Sequence, residues 1–447
     1  MKTPKPPPDA QKILRELAEK DPNRFIEIFS WISAEQQVAN RYMPWDELRF
    51  RTPPQGLSHE EWWLAVKLSR RSMQRALPLV DEAGKQFTYA LPDAVLRSIE
   101  DVNRSASGNI TISEQVTNPS TRDRYLVNSL IEEAITSSQL EGASTTHRVA
   151  KEMIRTGRQP RDRDERMILN NYKAMRRVTE LRDEPLTPET ICEIHRIVTE
   201  DTLENPEASG RFQLPAEDRV AVYSHDNQLL HLPPPAKNLP DRMANLCDFA
   251  NGNGDTTYIP PVLRAITVHF MIGHDHPFED GNGRTARALF YWAMLNQGYW
   301  LTEFLAISKI LKAAPGKYAR SFLYTEQDEG DLTYFHVYQL SVIQRSIKEL
   351  HKYLARKMEE VRNFQQSIAL IPDQFNHRQL AVLEHAVKNP DANYTSQSHS
   401  SSHSVTPETA RLDLIDLERR GLLTKHRVLR THVWTPIPNL ADKLRNI

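Results

Sequence analysis

Apolar residues along most of this chain fall at helical intervals. Ile191, Ile194 and Val198 repeat at i, i+3 and i+7, as do Leu380, Leu383 and Val387, so each set lines one face of a helix. Only 15 glycines interrupt the 447 residues, and strand candidates are few and short. The best is residues 219–223, with a polar turn at 224–227 and a return through 229–232, which reads as a hairpin with a four-residue turn. No fixed-period repeat is visible in the sequence. The expectation is a mainly α protein, and at roughly 150 residues per domain the length allows about three domains.

Lys and Arg total 57 against 58 Asp and Glu, a net charge of −1. That excludes a globally basic nucleic-acid binder, though not a local basic patch. Hydrophobic residues make up 39 %, enough for packed cores. Cys192 and Cys247 are the only cysteines. Two thiols make neither a disulfide framework nor a four-thiolate zinc site, which points to a reducing compartment. No apolar run approaches the roughly 18 residues of a membrane span. The N-terminal MKTPKPPPDA lacks the apolar core of a signal peptide. The expected location is the cytoplasm, with no membrane partner.

Three regions separate. Residues 1–120 open with a Pro-rich tip expected to be disordered. They continue as a helical pattern around Trp45, Trp62 and Trp63, which read as the core of a helical cap, and end in a polar stretch at 105–120. Residues 121–365 hold the strongest helices. Residues 366–447, set off by Ile371-Pro372-Asp373, include a low-complexity stretch at 395–403.

The chemistry concentrates in His276-Pro-Phe-Glu-Asp280-Gly281-Asn282-Gly283-Arg284-Thr-Ala-Arg287, a loop between the apolar helical stretches 262–272 and 288–295. Gly281 and Gly283 permit turns that expose successive backbone N–H groups, and the following helix start adds a partial positive charge. Arg284 and Arg287 share one face of that first turn. Cations there cost the helix ~0.3–1 kcal/mol each, so two of them suggest a bound polyanion. Asp280 is a hard oxygen ligand suited to Mg²⁺, and His276 can serve as a base near neutral pH. The set describes a phosphate cradle, a metal carboxylate and one base.

Residues 276–287 carry the whole signature HxFx[D/E]GNGRxxR and so resemble the Fic family over roughly residues 121–345. Gly210-Arg211-Phe212, the hairpin, and the helix start with Thr187 as N-cap and Pro188 at N1 also fit. The resemblance implies a Fic helical core with a β-hairpin flap, and a protein adenylyltransferase that moves AMP from ATP to a Ser, Thr or Tyr hydroxyl of a target protein, itself included. His276 would take the hydroxyl proton and Phe278 would anchor the loop. Asp280 would hold Mg²⁺ between the α- and β-phosphates. The amides of Gly281 to Gly283, with Asn282, would cradle phosphates, Arg284 the β- and Arg287 the γ-phosphate. Val220 and Val222, on the flap, would pair with an extended target segment.

Upstream, Ser137 and Glu141 lie one turn apart, ahead of Gly142 as a stop signal for a helix over about 122–142. A carboxylate in a helix's last turn opposes its dipole, so an external cation is a reasonable partner. The segment is similar to the family's inhibitory motif [S/T]xxxE[G/N]. By that resemblance Glu141 pairs with Arg287 and takes the γ-phosphate position, as in the N-terminally inhibited class. The same Glu serves the reverse reaction, removal of AMP, in some members.

Residues 375–387 and 406–420 read as helices, followed by a two-strand wing with Arg427, Arg430 and Trp434. This resembles a winged helix-turn-helix with 407–420 as recognition helix. DNA, a protein partner or a second copy in a homodimer are its candidate partners, since Asp413, Asp416 and Glu418 dilute the arginines. The competing function is a non-enzymatic DNA-binding transcription regulator whose Fic-like core only senses a ligand. A metal phosphohydrolase built on His269, His274 and His276 is disfavoured, because helical zinc sites use His pairs at i, i+4 whereas His269 and His274 are five apart.

Overall fold

The structure is a computed structural model that describes residues 3–34, 41–54, 56–107, 119–223, 227–254, 256–369, 374–390, 392–403, 405–428 and 431–445. Most of the polar stretch at 105–120, most of the turn at 224–227, and Arg430 therefore lie outside the described residues. The chain divides into two compact units, Met1–Leu350 and His351–Ile447.

The first unit begins with α1 (Ala10–Lys20), α2 (Pro22–Ala34), the short α3 (Trp45–Leu48) and α4 (His59–Arg71). Side-chain caps start two of them: Asp9 accepts the Gln11 and Lys12 amides ahead of α1, and Ser58 with Glu61 forms a capping box at α4. Trp45, Trp62 and Trp63 are buried together with Leu48 and Val66. In the Pro-rich tip, Pro4 is buried and the Lys5 amide donates to Asp46 (3.0 Å).

A hairpin not anticipated from the sequence follows, β1 (Gln74–Val80) against β2 (Gln86–Ala90), antiparallel with one irregularity. Leu77, Leu79, Phe87 and Tyr89 alternate inward and are fully buried. After α5 (Asp93–Ala106) come α6 (Pro119–Leu140), α7 (His147–Thr156), α8 (Arg163–Glu180) and α9 (Pro188–Thr199). The flap is β3 (Val222–Tyr223) paired with β4 (Leu229–His231). Then follow α10 (Leu239–Asn251), α11 (Pro261–Asp275), α12 (Asn282–Asn296), α13 (Ile307–Ala313), α14 (Pro315–Gln327) and α15 (Thr333–Ala369), whose residues after Leu350 belong to the second unit.

Helices α11 and α12 form the centre. Nearly every side chain of both is buried, polar ones included, with α6, α8 and α9 packed against α12. A helix apolar all round is a core helix. The motif loop is thus the turn between two deeply buried helices.

The second unit contains α16 (His377–Lys388), α17 (Ser396–His403), α18 (Pro407–Arg419), β5 (Leu423–Val428), β6 (Thr431–Pro436) and α19 (Leu440–Arg445). Val382, Leu383, Leu414, Leu417 and Trp434 make its core. The Ser/His stretch read as low complexity is helix α17. Thr395 caps it by accepting the Ser398 amide (3.0 Å), and buried His399 faces Asp413 (3.3 Å). No helix among the described residues is long and apolar enough to cross a membrane.

Candidate functional site

His276 ends α11 in the left-handed region (φ 44°, ψ 55°), an uncommon conformation for a residue with a Cβ. Two tethers hold it there. Its amide donates to Ile272 (3.1 Å), and Arg219 Nη2 donates to the carbonyls of Asp275 (2.7 Å) and His276 (3.1 Å). The Gln213 amide donates to the Pro277 carbonyl (2.9 Å). His276 Nδ1 faces the Gly273 carbonyl (3.3 Å), which can only accept, so the ring proton sits on Nδ1 and Nε2 keeps its lone pair. Burial pushes the imidazole pKa down to about 4, leaving it neutral around pH 7.

The next residues are fixed by a ring the sequence did not single out. Phe278 is fully buried and stacks face to face on His195 of α9, centroids 3.7 Å apart. His195 Nε2 donates to the Asp280 carbonyl (2.8 Å), while its Nδ1 accepts the Gly210 amide (3.0 Å). Burial lowers its pKa to about 4, which suits a ring that donates on one side and accepts on the other. Asn282 spends its side chain on the loop itself, accepting the Phe278 amide (2.9 Å) and donating to the Phe278 carbonyl (2.8 Å). Both its side-chain oxygen and nitrogen are thereby committed within the loop.

Gly281 (φ 83°) is the N-cap of α12, and a Cβ there would strike Thr199 at 2.8 Å. Arg284, 1 % exposed, donates Nη1 to the Val198 carbonyl (3.1 Å) and leaves Nε without a hydrogen-bond partner among the described residues. Burial lowers its pKa, a guanidinium short of acceptors. Asp280 Oδ1 accepts the Gly281 amide (2.5 Å), and Oδ2 lies 3.5 Å from both Arg284 and Arg163.

Arg287 is buried against α6. Its Nε donates to Ser137 Oγ (2.8 Å), and its Nη2 donates to the Ser137 carbonyl (3.0 Å) and to Glu141 Oε1 (2.8 Å). The Glu141 carboxylate lies over the glycine tip of α12: a Cβ on Gly283 would collide with it. One turn and two turns before Glu141, Ser137 and Glu133 continue the same face. Glu133 is fully buried, accepts Tyr291 Oη and the Ser308 amide (2.9 Å each), and so pins α6 to α12 and α13. Burial raises its pKa.

Val222 pairs with His231 in the flap, whereas Val220 precedes the strand, next to Arg219, whose guanidinium donates to the Pro234 and Asp275 carbonyls. The strands are shorter than the 219–223 and 229–232 expected. Tyr223, Leu229 and Leu232 are exposed. His269 and His274 are buried in other bonds, to Tyr318 Oη (2.7 Å) and Asp275 (3.2 Å). No group of three or more metal-binding side chains occurs among the described residues.

Residues 185–294 match the Fic/DOC family. A protein adenylyltransferase Fic of Nematostella vectensis is 25 % identical over 229 residues, 51 % of this chain and 48 % of that protein. One of Culex quinquefasciatus is 32 % identical over 114 residues, 26 % of this chain and 20 % of the relative. The chain therefore spans about half or less of the curated relatives it matches. A solved Fic family protein from Desulfovibrio desulfuricans shares the fold with a TM-score of 0.52 at 16 % identity, over 78 % of this chain and 98 % of the other.

Proposed function

This chain carries a Fic domain, and we propose that it is a protein adenylyltransferase whose resting state is held off by Glu141. What carries the reading is the pair of buried arginines at the glycine tip of α12. Arg284 Nε has no hydrogen-bond partner among the described residues, and Arg287 is neutralised by a carboxylate from the end of the neighbouring helix. The names of the relatives support adenylyl transfer as the chemistry.

In this reading ATP lies with its phosphates on the amides of 281–283 and on Arg284 and Arg287. A Ser, Thr or Tyr hydroxyl, aligned by a target strand against the flap at Val222 with Val220 beside it, attacks the α-phosphorus. Its proton passes to His276 Nε2, the new O–P bond forms, and the bond to the bridging oxygen breaks as pyrophosphate departs. The neutral ring and free Nε2 suit that task. Mg²⁺ commonly binds through one or two carboxylates, substrate phosphates and water. Asp280, half-exposed and in no cluster of three metal-binding side chains among the described residues, fits as a protein ligand once phosphates supply the rest. Bound there, the ion would offset phosphate charge.

While Glu141 holds Arg287, the γ-phosphate position is occupied by a carboxylate, so ATP binds weakly or unproductively. Reversal, with removal of AMP, and modification of the chain itself belong to the same site. We read the second unit as a winged helix with α18 in the recognition position. Arg411 is paired with Glu408 and Arg420 with Asp416, so contact with DNA requires those pairs to open, and a protein partner or homodimer is as compatible.

Incubation with α-labelled ATP and Mg²⁺ tests the proposal. Label should enter protein, increase in Glu141→Gly and vanish in His276→Ala. Absence of label even in Glu141→Gly favours the regulator reading.

A further inference from the structure

A third arginine, outside the motif, borders the same site. Arg163 opens α8 directly after its N-cap Asp162. Its Nε donates to the Thr202 carbonyl (2.8 Å), which orients the guanidinium plane, and its Nη2 lies 3.5 Å from Asp280 Oδ2. Arg284 Nη2 is 3.5 Å from that same oxygen. Two guanidiniums thus flank one carboxylate oxygen, and neither is at the ~2.7–2.9 Å of a charge-assisted hydrogen bond. They differ in mobility of setting: the Arg284 side chain is 1 % exposed, that of Arg163 57 %.

Beyond Arg163 lies a cleft of about 370 Å³ between residues 160–166 and 201–204. Arg161, Arg163 and Arg166 line it together with Asp162, Asp201 and Glu204, with Arg166 3.6 Å from Asp201. Beside the glycine tip, Arg163 and Arg284 share the Asp280 carboxylate while Arg287 pairs with Glu141. Once a metal-bound nucleotide claims Asp280 and displaces Glu141, both carboxylates are committed and Arg163 has lost its partner. A phosphate beside Asp280 would then lie within its reach, on the side where that carboxylate now sits.

We propose that Arg163 contacts the departing pyrophosphate. As the bond from the α-phosphorus to the bridging oxygen breaks, the electron pair and its negative charge go to that oxygen on the β-phosphate. Arg163 swings from Asp280 to this charge and guides the product toward the cleft. The inference rests on the adenylyltransferase reading.

The test uses the full chain with Glu141→Gly as parent, measuring label transfer from α-labelled ATP and its inhibition by Mg²⁺–pyrophosphate and by AMP. Arg163→Gln keeps a donor for the Thr202 carbonyl but removes the charge; Arg163→Lys restores the charge without the fork. Pyrophosphate inhibition should weaken about two- to fivefold in Arg163→Gln, recover in part in Arg163→Lys, and leave AMP inhibition unchanged. Unchanged pyrophosphate inhibition overturns the assignment. So does equal weakening for pyrophosphate and AMP, the sign of a generally loosened site. A parent that transfers no AMP overturns the adenylyltransferase reading with it, whereas an active parent matched by Arg163→Gln removes Arg163 alone.

Discussion

Arg287 of α12 and Glu141, 146 residues earlier at the end of α6, meet at 2.8 Å over the glycine tip where a phosphate would sit. Ser137 holds the same guanidinium with both its hydroxyl and its carbonyl. One side chain therefore serves two masters: the carboxylate of the resting chain and, by our reading, the terminal phosphate of the substrate.

Glu141→Gly removes the competitor and leaves Ser137 to orient Arg287. ATP affinity should rise on the order of tenfold, about 1.4 kcal/mol, and label transfer should rise with it. Calorimetric titration with ATP checks the first; unchanged affinity would remove the brake from the account.

Arg287→Ala should lose both functions. Transfer falls about 10²-fold, as when one preorganised donor to developing charge is deleted. Adding Glu141→Gly on top should then give no further gain, because the brake acts through Arg287. A full additive gain in the double variant would show that Glu141 acts elsewhere.

His195→Ala should unfold more easily and transfer more slowly. The change deletes the ring stacked on Phe278 and leaves the Gly210 amide and Asp280 carbonyl without their partner. A loss of about 3 kcal/mol is expected from the cavity plus the unmade hydrogen bonds. An unaltered denaturant midpoint would contradict that placement.

Acid should destabilise the fold before it reaches most carboxylates. His195 and His276 are held near pKa 4, and His269 near 3, chiefly by burial. Between pH 6.5 and about 4 the unfolded chain takes up protons that the folded chain refuses, so stability falls as pH drops through that window. Thermal melts from pH 7.5 to 5 should show the midpoint decreasing. By the same shift, His276 stays a neutral base down to about pH 5, and transfer by the folded protein should not titrate near 6.5. A transfer profile that falls with midpoint 6.5 would place the ring in water.

The α fold and the motif loop were legible because both rest on local rules: apolar spacing, glycines at turns, a Thr cap ahead of Pro188. The Ser137–Glu141 pair was legible through its helical interval. What sequence could not show were the residues whose purpose is distant. Arg219 and Gln213 grip carbonyls of the motif loop more than 50 residues away, and His195 looks like one more polar position on an amphipathic helix. A backbone carbonyl leaves no signature in its own side chain, so nothing at Asp280 announces a bond from His195. The hairpin of β1 and β2 did leave a signal, the alternation through Leu77, Leu79, Phe87 and Tyr89 around Asp81–Gly84, that helical periodicity elsewhere overshadowed. Helix α17 is the opposite case. Its Ser/His composition has little helical preference, and burial of His399 against Asp413 supplies what propensity does not.

The most direct test is a crystal structure of Glu141→Gly with Mg²⁺ and a non-hydrolysable ATP analogue. The account predicts the γ-phosphate within hydrogen-bond reach of Arg287, where the Glu141 carboxylate lies in the resting chain, with His276 Nε2 facing the α-phosphorus. A nucleotide bound away from the α12 tip, or bound there with His276 turned from its phosphates, would contradict it.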